Sequence, residues 1–132
     1  MQYLLDTNAW IIYLKDPDSE VRKRLLTVSP QEIVTCSIVV SELLHGAEKY
    51  GNRHKRATMV QTLLAPFQCL PFDEIDATYY ASLRHHLETR GEVIGPYDLQ
   101  IAAICLRHRL TLVTSNITEF TRVQGLTVQD WS

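Results

Sequence analysis

Three acids stand out because each is the only charge in a stretch that ought to be buried. Asp6 is the sole charge between Met1 and Leu14, Glu42 the sole formal charge between Ile33 and Ala47, and Asp98 the sole charge between Val93 and Leu106. Desolvating an unpaired carboxylate is costly, so lone acids rarely go inside without a reason. If the three converge, two carboxylates ~4 Å apart repel by about 4 kcal/mol at an effective dielectric near 20. Such a cluster needs a cation. Oxygen donors with no His or Cys at matching positions favour Mg²⁺ or Mn²⁺ over Zn²⁺. A cation held by a few carboxylates and open to water suits phosphodiester hydrolysis, because it activates a bound water and neutralises charge on the scissile phosphate.

Each acid also has a plainer reading. Asp6 stands before a helical stretch and reads equally well as its cap. Asp98 falls in a helix first turn, where the dipole favours any Asp. Glu42 has no such role, because it lies inside a helix, although a buried, hydrogen-bonded Glu is an ordinary object. Taken together, the three point to a site.

The elements that must position them follow from apolar spacing. Tyr3-Leu4-Leu5 reads as a short buried strand. Trp10, Ile11 and Leu14 then share one helical face, which Asp16-Pro17 closes. A second helix is expected from Asp18 or Ser19 to Val28, and a second strand at 33–36. Ser37 is the expected cap of a helix carrying Val39, Leu43 and Ala47. Helices are expected over 52–64, 76–89 and 98–107, the last started by Pro96. Further strands are expected at 69–72, 110–114 and 126–128. Strands alternating with helices predict an α/β domain spanning 1–132, with a mostly parallel sheet covered on both faces. In such a sheet the carboxyl edge, where Asp6 falls, is where ligands bind.

Composition narrows the class. The chain has 132 residues, 45% hydrophobic and 21% charged, which suits a globular domain. No apolar run approaches the roughly 18 residues of a membrane helix, and no basic-then-apolar leader opens it. These readings predict a cytoplasmic protein with no membrane association. Three cysteines in apolar settings (Cys36, Cys69 and Cys105) are expected to be reduced and buried. A formal net charge of −2 does not announce a nucleic-acid binder. Contact with nucleic acid would rest on local runs: Arg53-His54-Lys55-Arg56, Arg84-His85-His86 with Arg90, and Arg107-His108-Arg109. The ordinary reading of each run is a solvated helix face. His45 and the pair Tyr79-Tyr80 are expected to pack rather than meet a ligand.

Four segments, in order, resemble the motifs of PIN-domain nucleases. They are Leu5-Asp6-Thr7-Asn8, Ser41-Glu42-Leu43-Leu44-His45-Gly46, Gly95-Pro96-Tyr97-Asp98-Leu99-Gln100-Ile101-Ala102 and Leu112-Val113-Thr114-Ser115-Asn116. The ending from Phe120 to Trp131 is similar to the VapC toxins of bacterial type II toxin–antitoxin pairs. This resemblance implies a three-layer α/β/α fold and a Mg²⁺- or Mn²⁺-dependent endoribonuclease with Asp6, Glu42 and Asp98 as metal-binding acids. Thr7 and Asn8 would orient the first acid. It also implies a homodimer, a VapB-type antitoxin that blocks the groove, a higher hetero-oligomer with it, and structured RNA such as initiator tRNA as substrate. Many PIN domains carry a fourth acid where this chain has Asn116. Either Asn116 or Glu119 is then placed to complete the site, through water, while the plain reading of Glu119 is a solvated loop acid.

Two other readings stay open. A haloacid-dehalogenase-like phosphatase also sets an Asp after its first strand, but wants a second Asp where this chain has Asn8. A non-catalytic binding partner would keep the acids only as caps.

Overall fold

A computed structural model describes residues 1–49 and 51–132. Its spine is five strands: β1 (Tyr3–Leu5), β2 (Ile33–Cys36), β3 (Gln68–Leu70), β4 (Thr111–Val113) and β5 (Thr127–Gln129). They form one sheet in the order β3-β2-β1-β4-β5, with every neighbouring pair parallel. Every residue of β2 and β4 is buried, without the alternation of a half-wet strand, so helices cover both faces there.

Those helices are α1 (Thr7–Lys15), α2 (Glu20–Leu26), α3 (Ser37–Glu48), α4 (Arg53–Leu64), α5 (Glu74–Thr89), α6 (Pro96–His108) and the short α7 (Ile117–Phe120). Leu4, Leu5, Trp10, Val34, Ile101, Ile104, Leu112 and Phe120 meet in the core. Each such side chain contributes about 1.5–3 kcal/mol by leaving water.

Strand order decides where a crevice can open. β1 lies at the centre, with β2 on one side and β4 on the other. The chain therefore winds outward in two directions from β1, and the crevice forms at its carboxyl end. The Asp6 amide donates to the Val113 carbonyl at 2.9 Å, tying that end to β4.

Helix α6 is braced from behind. It packs along α5, and Arg107 at its far end donates to Asp76 at 2.9 Å and to Asp73. Asp73 and Asp76 together close the capping box that starts α5.

Several local expectations differ from the structure. Cys36, not Ser37, is the cap residue of α3, and no side chain caps it; Ser37 is already helical. The third strand ends at Leu70 because Pro71, without an amide hydrogen, cannot extend a ladder. Cys36 and Cys105 are buried, but Cys69 lies exposed on the edge strand β3. No helix among the described residues is long and apolar enough to cross a membrane.

Candidate active site

Asp6 sits where β1 hands over to α1. Its Oδ1 accepts from the Ala9 amide at 2.8 Å, so it is indeed the helix cap. Yet the side chain is only 2% exposed, and a cap needs no such burial. Burial pushes its pKa up, while hydrogen bonds from Thr114 and Ala9 oppose the rise and the charges of Glu42 and Asp130 add to it. Cap and buried acid are the same residue.

Glu42 faces the same crevice from α3. Its Oε1 accepts from the Thr7 hydroxyl at 2.6 Å. The sequence placed Thr7 as an orienter of Asp6; its hydroxyl holds Glu42 instead. Asn8 lines the crevice and is exposed.

Asp98 arrives from the first turn of α6, started by Pro96 after Gly95. Burial pushes its carboxyl up to about 6, with Glu119, Asp6 and Glu42 contributing as like charges, and a side-chain hydrogen bond with Glu119 adding to the rise. The three lone acids thus feel one another, as does a fourth. Glu119 is not a solvated loop acid. It belongs to α7, accepts from the Asn116 side-chain amide, and takes a longer bond of 3.4 Å from the Gly95 amide at the start of α6.

Asp6, Thr7, Asn8, Glu42 and Asp98 line one groove of about 920 Å³. Ile11, Leu14, Met59 and Val60 also line it, as do Lys15, Lys49 and Arg56. Four residues in or beside it were missed from sequence. Thr114, 1% exposed, bonds Asp6 and stands after β4 as Asp6 stands after β1, so the small polar residue closing an apolar strand was its signal. Tyr97 and the two lysines gave none beyond their neighbourhood. His45 lines the groove and is exposed, not packed.

The basic runs are largely spoken for. Arg53 pairs with Glu48, Arg84 with Glu88, Arg90 with Glu92, and Arg107 with the start of α5. Tyr80 packs edge-on against Phe72, and Tyr79 remains 41% exposed.

A family model described as "PIN domain" matches residues 3–126. The chain belongs to the PIN-domain family. Over its full length it is 31% identical to a Shigella flexneri protein named tRNA(fMet)-specific endonuclease VapC, 99% of which is covered. It is 34% identical to a Rickettsia felis protein named Ribonuclease VapC2, covering 99% of this chain and 98% of that protein. Among solved structures, a chain of DNA-bound VapBC from Salmonella typhimurium superposes with a TM-score of 0.94 at 30% identity, covering 100% of this chain and 99% of that one.

PIN-domain nucleases generally depend on a divalent metal. The donors of this PIN domain fit one: the groups gathered at the acidic end are hard oxygens, and their mutual repulsion is what a small dication relieves. They do not form a closed cage, since among the described residues no three His, Cys, Asp or Glu side chains are grouped closely enough to hold an ion as they stand. An open arrangement suits ions that retain several waters.

Proposed function

We propose that this PIN domain is the toxin of a VapBC-type toxin–antitoxin pair, an endoribonuclease that hydrolyses RNA phosphodiester bonds with Mg²⁺ or Mn²⁺. The observation that carries it is the convergence of Asp6, Glu42 and Asp98, from three elements far apart in the chain, on one end of one groove. The full-length likeness to relatives named as VapC ribonucleases supports the same reading. It extends to a tRNA substrate, initiator tRNA first, to an antitoxin occupying the groove, to a homodimer that forms a higher hetero-oligomer with that antitoxin, and to action in the cytoplasm.

Asp6, Glu42 and Asp98 would hold the metal. When bound, it supplies an activated water and offsets the charge of the scissile phosphate. The protein's own part is to keep the acids ready. Ala9 and Thr114 fix Asp6, Thr7 fixes Glu42, and the Arg107 brace holds the far end of α6, the helix that carries Asp98, against α5. Asn116 holds Glu119 beside Asp98, the position from which a fourth acid would act.

Membership of the PIN family displaces the phosphatase reading. A non-catalytic partner would need neither the convergence nor the burial of Asp6. The test is cleavage of total and structured RNA by antitoxin-free protein, with Mg²⁺ or Mn²⁺, with chelator, and with Asp98→Asn alongside. Metal-dependent fragments absent from the Asp98→Asn lane are expected. A folded, metal-supplied protein that cuts no RNA would overturn the proposal.

A further inference from the structure

Asn116 and Glu119 have the residue types and spacing of a capping box, yet they do not make its bonds. Asn116 precedes α7, where its side-chain oxygen would ordinarily accept from an amide of the first turn. It makes no such bond. Glu119, three positions on, would ordinarily reach back to the Asn116 backbone amide. That amide donates to Thr114 Oγ1 instead, at 3.0 Å. The contrast with α5 is direct, since there Asp73 and Asp76 close the box in full. At α7 the Asn116 side-chain amide donates to Glu119 Oε2, and Glu119 Oε1 accepts from the Gly95 amide at 3.4 Å. The pair does not serve the start of its own helix; it is bonded to the start of α6.

Its partners are the site. Thr114, which receives the Asn116 backbone amide, also bonds Asp6. Gly95 opens the helix that carries Asp98, and Glu119 shares a hydrogen bond with Asp98. Asn116 therefore stands at the joint of a hydrogen-bonded chain from Asp6, through Thr114 and Glu119, to Asp98. The polarity of that joint decides which residue it tolerates. An ionised Glu119 has only acceptors, so the group facing it must donate. Asn donates. Asp has nearly the same shape but would only accept, and two carboxylates at bonding distance repel.

We infer that Asn116 is a positioning residue of the acid site: its amide holds Glu119 at the start of α6 beside Asp98, and an acid at 116 would displace Glu119 rather than add a metal ligand. The inference rests on the ribonuclease reading and deepens it. It also reverses what the family pattern suggests, in which a fourth acid at 116 completes the site.

The test is Mn²⁺ titration by calorimetry on the full chain and its variants, beside steady-state cleavage of structured RNA. Melting curves of the metal-free proteins confirm folding. Asn116→Asp is expected to weaken Mn²⁺ binding about tenfold or more and to lower kcat, with KM for RNA little changed. Asn116→Leu removes the donor without adding charge; it should act in the same direction, and serves if the aspartate variant folds poorly. In a Glu119→Ala background, Asn116→Leu should weaken binding no further, because the amide acts only through Glu119. A mere helix cap predicts otherwise: Asp caps as well as Asn, so Asn116→Asp would change nothing. Unchanged or tighter Mn²⁺ binding by Asn116→Asp, unchanged binding by Asn116→Leu, or additive losses in the double variant overturns the inference while leaving the ribonuclease intact. A wild type that binds Mn²⁺ but cuts no RNA overturns the ribonuclease reading, and the metal affinities alone then decide the role of Asn116. A wild type that binds no Mn²⁺ overturns both.

Discussion

Thr7 and Glu42 lie 35 positions apart in the chain, yet the Thr7 hydroxyl donates to Glu42 Oε1 across 2.6 Å. One side chain at the start of α1 thereby fixes an acid on α3, while its neighbour Asp6 is fixed by the turn it caps. The two acids are coupled through one dipeptide.

Removing that hydroxyl should therefore act on Glu42. Thr7→Val is expected to lower metal affinity or kcat about 10–100-fold, the usual effect of losing a partner that orients a ligand. Thr7→Ser should restore most of it. Metal titration beside steady-state kinetics checks this; equal activity for Thr7→Val would show that Glu42 needs no such support.

Asp98→Asn should trade activity for stability. Its carboxyl, pushed up to about 6, is costly to ionise in the folded protein. Neutralising it should stabilise metal-free protein at pH 7 by on the order of 1 kcal/mol, after discounting for partial exposure. For a chain of this size that is about 3–5 °C in Tm. The same substitution should abolish cleavage.

The pH dependence comes from the sign of that shift. A carboxyl whose folded pKa lies above its unfolded value of ~3.9 destabilises the fold when ionised. The penalty is full above about 6 and fades as pH falls toward the unfolded value. Metal-free wild type should thus gain on Asp98→Asn as pH drops from 7 to about 4, and melting series on both proteins would show the gap closing. Asp73 has the opposite sign. Arg107 holds its carboxyl well below the usual range, so its contribution is present above ~3.9 and lost as pH falls further. Arg107→Met should flatten that acid limb and lower Tm at neutral pH, since it leaves Asp76, 0% exposed, without its cation.

Glu119→Gln should move Asp98. Glu119 is the foremost charge raising it, second only to burial. Carbon-13 NMR of the side-chain carboxyls in metal-free protein should then find Asp98 titrating at a lower pH in the variant. An unchanged titration would mean the two acids do not sense each other in solution.

How much of the site was legible depends on how local the cause was. Asp6 and Glu42 were readable because a single charge inside an apolar stretch is visible without knowing the fold. Parallel strands followed from helices alternating with short apolar runs. The partner of Thr7 was not readable: choosing between Asp6 next door and Glu42 requires knowing how α1 lies against α3. Glu119 looked like a loop acid because the packing of α7, anchored by the buried Phe120, is tertiary. Cys69 was misjudged for a related reason, since whether a strand lies at the edge or centre of a sheet is not written in its own residues. Tyr97 gave no signal because exposure, not identity, makes it unusual.

The central place of β1 has a consequence for synthesis. Its partner β4 and the acid Glu119 leave the ribosome after nearly all the other elements, although β1 itself emerges before them all. Until Val113 is present, the Asp6 amide has no carbonyl to bind, and until α7 is present, Asp98 lacks its neighbour. Contacts of such long sequence separation also form late in folding. A nascent or prematurely ended chain that stops short of α7 therefore lacks Glu119 beside Asp98.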